Sequence, residues 1–159
     1  LLPTPAAHAQ NASSQNSAAT DKDAQALRDQ DIELLRRDIR SKKKQLIAAN
    51  LPLTDTEATK FWPVYDQYIN ELVKINNTKY DLIKEFADTY GSVTEEQADS
   101  MTKRLLNLDQ SVAQLRLKYE PIFRGVLPAK KTATFFQLDR RITMMIDLQL
   151  ASQIPLVQQ

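Results

Sequence analysis

Apolar residues recur at intervals of three and four over long stretches of this chain, and short polar breaks separate the stretches, as expected for helices that each bury one face. The longest reads Phe61, Tyr65, Tyr68, Leu72, Ile75, Lys79, Leu82 and Phe86, with Lys79 as its polar exception. A second line, Trp62, Ile69, Val73, Tyr80 and Ile83, makes this face wider than a minimal coiled-coil seam. The next stretch repeats the spacing through Ala98, Met101, Leu105, Leu108, Val112, Leu115, Tyr119 and Ile122. An earlier one carries Ile32, Leu35, Ile39 and Leu46, and a last one Phe135, Leu138, Ile142 and Met145, with Phe136 and Ile146 beside them.

Local signals place the ends of these helices. Thr54-Asp55-Thr56-Glu57 and Thr94-Glu95-Glu96-Gln97 are capping boxes: the threonine oxygen accepts from the backbone N–H three residues on, whose side chain reaches back. Helix 1 should run from about Leu27 to Asn50, ahead of Pro52. The chain's two glycines, Gly91 and Gly125, fall where helices 2 and 3 should stop. Pro63 and Pro121 should bend their helices, and Pro128 suits the first position of helix 4. The short link Gly91-Ser92-Val93 forces helices 2 and 3 to lie antiparallel. The predicted fold is therefore all-α: four helices, with a long antiparallel hairpin of helices 2 and 3 flanked by helices 1 and 4. Helix 2 has more apolar surface than helix 3 alone can cover. The surplus should meet helices 1 and 4, a second subunit or a ligand. Ile154-Pro155-Leu156-Val157 is expected to be a docked apolar tail.

Composition narrows the chemistry. A length of 159 residues suits one domain, and two glycines are too few for a sheet protein's turns. Cysteine is absent and His8 is the single histidine, so no Ser/His/Asp or Cys/His set is expected. Imidazole or thiolate sites for zinc, nickel or copper are disfavoured for the same reason. No enzyme activity, metal or cofactor is predicted. Carboxylate pairs such as Asp21/Asp23 and Glu95/Glu96 fit solvation and the helix dipole.

Ala7-His8-Ala9 before Gln10 has the small-x-small pattern of a signal-peptidase site. On that reading residues 1–9 are the end of a signal peptide cleaved after Ala9. Residues 10–26, polar and without apolar period, form a disordered leader, and 27–159 make a single helical domain. No run of 18 apolar residues crosses a membrane.

The densest charge lies in Arg36–Lys44, with six cations and one anion in nine residues. It is either a solvated helix face or a cationic surface for acidic segments of a client, a partner or anionic lipid. Nucleic acid is not expected, since an exported protein rarely meets it and no aromatic platform interleaves with the cations.

There is also an internal echo. Leu53-Thr54-Asp55-Thr56-Glu57 with Phe61-Trp62 aligns, 74 residues on, with Leu127-Pro128-Ala129-Lys130-Lys131 and Phe135-Phe136, and Val64 with Leu138. Two such helix starts, before and after a hairpin, resemble the LTxxQ-motif family of periplasmic proteins typified by Spy and CpxP. Leu53, Thr54 and Glu57 look like the first motif, with Glu in place of Gln. In the second, Leu127 is kept, Pro128 replaces the threonine and Lys131 the glutamine. The resemblance implies a periplasmic, four-helix, curved and often dimeric protein that acts as an ATP-independent chaperone or envelope-stress modulator. Histidine-rich metal sensing, known in some relatives, does not fit this composition. By this analogy Arg36, Arg37, Arg40 and Lys43 would supply the charged part of a surface for unfolded polypeptide. A different role, docking one envelope partner such as a sensor's periplasmic domain, is also compatible with the sequence.

Overall fold

The computed structural model describes the backbone of residues 9–157 and the side chains of residues 22–27 and 29–157. Among the described residues there are four α-helices and no strand: α1 (Ala9–Asn50), α2 (Asp55–Thr89), α3 (Glu95–Arg124) and α4 (Ala129–Ala151). The chain divides into two compact units, Leu1–Leu46 and Ile47–Gln159.

The first unit consists of α1 up to Leu46. This helix begins at Ala9 rather than near Leu27, so the backbone of the expected leader is helical. Six alanines and three glutamines between residues 9 and 26 favour helix without supplying an apolar stripe. The signal-peptide reading of residues 1–8, His8 included, lies outside the described residues. Leu35 and Leu46, which the spacing marks as core-facing, are instead 59% and 45% exposed.

The second unit is built on the hairpin. Both capping boxes form: Thr54 Oγ1 accepts from the Glu57 N–H at 3.2 Å and Thr94 Oγ1 from the Gln97 N–H at 3.2 Å. In return, the Thr54 and Thr94 N–H groups each donate to the glutamate or glutamine side chain at 2.9 Å. Gly91 takes φ +85°, the left-handed turn that ends α2. The chain then reverses, and α2–α3 pairs step in opposite directions: Phe61 with Phe123 (rings 5.5 Å apart), Tyr68 with Tyr119 (5.3 Å) and Glu85 with Arg104 (2.6 Å).

Helix α4 lies along the hairpin, parallel to α2. Glu57 pairs with Lys131, Phe61 with Phe135 at 5.3 Å, Tyr68 with Asp139 and Lys79 with Asp147. Equivalent positions of the internal echo therefore face each other: two of these pairs are the 74-residue partners themselves. Pro128 is the N-cap of α4, one position before the expected one. Its fixed φ (−59°) ends the turn, and its carbonyl accepts the Thr132 N–H at 3.0 Å.

Phe61, Tyr65, Tyr68, Tyr119, Phe123 and Phe135 form an aromatic core, joined by Ile47 from the last turn of α1, by Leu51 just after it and by Leu127. Two inward faces differ from the sequence spacing. On α3 the line passes from Tyr119 to Phe123 rather than to Ile122, which is 40% exposed. Phe123 is drawn in because it sits between α2 and α4, with its ring 4.4 Å from Phe135. On α4 the buried line is Thr132, Phe135, Asp139 and Ile142, while Met145 is 59% exposed.

Candidate binding surface

The 4,3 spacing of Arg36, Arg40 and Lys43 keeps them on one face of α1. Arg36 and Arg40 each follow an apolar residue, Leu35 and Ile39, so the cationic stripe runs beside the apolar one. Glu33 sits among the arginines, 3.5 Å from Arg36, 3.9 Å from Arg37 and 3.1 Å from Arg40. The hydrogen bond from Arg40 chiefly holds the Glu33 carboxyl below its ordinary range, and the nearby charges of Arg40, Arg36 and Arg37 add to it. Asp38 pairs with Lys42 at 3.4 Å. Glu33 and Asp38 thus pair with four of the cations, and Leu34, Leu35 and Leu46 stay exposed in the same stretch. Of the predicted binding residues, Arg36, Arg37 and Arg40 converge on Glu33, whereas Lys43, one turn after Arg40, is only 7% exposed, so the open cationic face is left to the arginines.

The motif residues have structural positions in the second unit. Leu127 is buried, Leu53 packs against the core, and Thr54 and Glu57 form the α2 cap. Glu57 does two things at once: it closes the capping box and pairs with Lys131 of α4. The Lys131 hydrogen bond is the main reason its carboxyl titrates below the ordinary range, with the Thr54 N–H second.

Three polar junctions tie the helices, and none of them was assigned from the sequence. Asp139, 0% exposed, accepts from the Tyr68 hydroxyl at 3.0 Å and from Arg116 Nε at 3.3 Å, so one carboxylate joins α2, α3 and α4. Burial, and then the Asp139 charge, push the Tyr68 hydroxyl up. Lys79, the exception in the α2 seam, reaches Asp147 at 2.9 Å. Glu71 accepts from Lys118 at 2.7 Å and from the Tyr119 hydroxyl at 2.7 Å. The one sequence signal for Asp139 is an acid in the 4,3 line Phe135, Asp139, Ile142.

These junctions bind helix to helix rather than converging on a cleft. Among the described residues, no group of three or more His, Cys, Asp and Glu side chains gathers as a metal site, and no helix is long and apolar enough to cross a membrane.

No family model, curated protein or solved structure matches this chain.

Proposed function

We propose that this is an exported, periplasmic holding protein that binds unfolded or partner polypeptide transiently along α1, without ATP and without catalysis. One observation carries the reading: exposed Leu35 and Leu46 share α1 with a cationic run in which Glu33 is the shared counter-ion of three arginines. Charge of this kind speeds encounter with acidic segments, and an apolar stripe beside it prolongs the contact. A narrow, partly screened face gives weak binding, which suits release without an energy source.

The likeness to the LTxxQ-motif family supports the same reading. Two of its three departures from the motif, Glu57 and Lys131, meet in one ion pair, so each of these substitutions compensates the other. The proposal assigns Arg36, Arg37 and Arg40 to the client surface, and the motif residues and the buried Lys43 to the scaffold.

Fluorescence anisotropy with a labelled, permanently unfolded acidic polypeptide tests this. Binding is expected at low salt, weakened tenfold or more by Arg36→Glu/Arg37→Glu/Arg40→Glu with the helical content unchanged. Absence of binding at low salt, or binding indifferent to the reversal, contradicts the proposal. Crosslinking in envelope extracts separates the two uses of such a face: many captured proteins mark a holdase, and one saturable partner marks an adaptor.

A further inference from the structure

Helix α4 contains two acids, and the fold turns both toward the hairpin. Asp139 is buried between Tyr68 and Arg116, and Asp147 pairs with Lys79 of α2 at 2.9 Å. Of the four cations on the same helix, Lys131 is taken by Glu57. Lys130, Arg140 and Arg141 are exposed, and no carboxylate among the described residues pairs with them. The acids of α4 are used inward, so its outward charge is positive alone.

Apolar residues share that outward side. At about 100° per residue, Arg140, Met144, Leu148, Arg141 and Met145 fall in that order within a sector about 140° wide, which also holds Lys130. This sector lies opposite the buried line of Phe135, Asp139 and Ile142. Met144, Met145 and Leu148 are 56%, 59% and 73% exposed. From Lys130 to Leu148 the face is about 27 Å long. It is the convex side of one helix, which a compact polypeptide would touch along a line, whereas a lipid surface can close around it. The arginines sit one turn before the apolar residues. Their long side chains can hold guanidinium groups at the phosphate level while methionine and leucine enter the acyl boundary.

We propose that the outward face of α4 rests on anionic phospholipid surfaces. Arg140, Arg141 and Lys130 meet the phosphates, and Met144, Met145 and Leu148 insert shallowly beneath them. A patch of this size binds reversibly and requires headgroups of net negative charge. It uses a different helix from the client-holding face, so the two proposals stand or fall separately.

Flotation of the full chain with phosphatidylcholine vesicles, with or without phosphatidylglycerol, tests it. The protein is expected to float at low salt with the anionic vesicles and to stay behind with the neutral ones. Arg140→Glu/Arg141→Glu should weaken binding about tenfold or more, and Met144→Ser/Leu148→Ser should weaken it as well. Reversing Arg36, Arg37 and Arg40 on α1 should cost less than reversing the α4 pair. All of the substituted α4 positions are exposed, and circular dichroism checks the fold of each variant. Absence of flotation, equal flotation with neutral vesicles, or binding that either α4 variant leaves unchanged overturns the proposal. An α1 reversal that costs as much or more moves the lipid contact to α1 and overturns it too. Binding of soluble polyglutamate that the α4 reversal abolishes, without flotation, assigns the face to acidic polypeptide instead.

Discussion

The Tyr68 hydroxyl donates to the buried carboxylate of Asp139 at 3.0 Å, across 71 residues of sequence, and so fixes α4 against α2. Replacing Tyr68 with Phe keeps the ring in the aromatic core and removes the donor from a buried acceptor. A loss of about 1–3 kcal/mol is expected in urea denaturation, as for a hydrogen bond to a charged group, while Arg116 still reaches the same carboxylate. An unchanged midpoint would show that the hydrogen bond contributes nothing to docking α4.

The inward line of α3 makes a second prediction. Phe123→Ala removes a fully buried ring and is expected to destabilise by about 3–5 kcal/mol. Ile122→Ala, at a half-open position, is expected to cost about 1 kcal/mol or less. Equal losses at the two sites would restore the spacing that sequence periodicity suggests.

Cap chemistry separates two roles of one residue. Thr54→Ala opens the α2 capping box and is expected to cost about 1 kcal/mol. Glu57→Gln leaves a box of the Thr94–Gln97 kind while removing the charge that faces Lys131. Its effect on the thermal midpoint should be smaller than that of Thr54→Ala and should vanish in high salt.

Stability should fall at both ends of the pH range. Hydrogen bonds from Arg40, Lys131 and Lys118 lower the carboxyls of Glu33, Glu57 and Glu71 below the ordinary 4.5. Groups lowered in the folded state stabilise it above 4.5, and that contribution is lost as pH falls through their folded values. Tyr119 is pushed up to about 12, first by burial and then by its bond to Glu71. A raised tyrosine gives its full stabilisation below 10.0 and loses it as pH climbs towards 12. Urea midpoints plotted against pH should show a plateau between these limits, and Glu71→Gln should flatten the acid limb.

Much of the fold was readable because its signals are local. Capping boxes act over three residues, Gly91 supplies its own turn, and the α2 seam needs only the helical period. What the sequence hides are choices made by distant partners. Phe123 replaces Ile122 in the core because α4 lies against that side of α3. Asp139 turns inward because Tyr68 and Arg116 wait there, and Lys79 fits an apolar seam because Asp147 comes within 2.9 Å. The cationic run on α1 was plain from its composition. That Glu33 gathers three of its arginines, and that the leucines beside them stay exposed, depends on how the side chains turn on the folded helix.

Suppression of aggregation tests the central claim most directly. Light scattering from an unfolding acidic client, at near-stoichiometric ratio and low salt, should rise more slowly with this protein present. The delay should shrink when Arg36, Arg37 and Arg40 are replaced by glutamate, and also when Leu35 is replaced by aspartate. Scattering that rises as fast with the protein as without it, at low salt, would contradict the holding function.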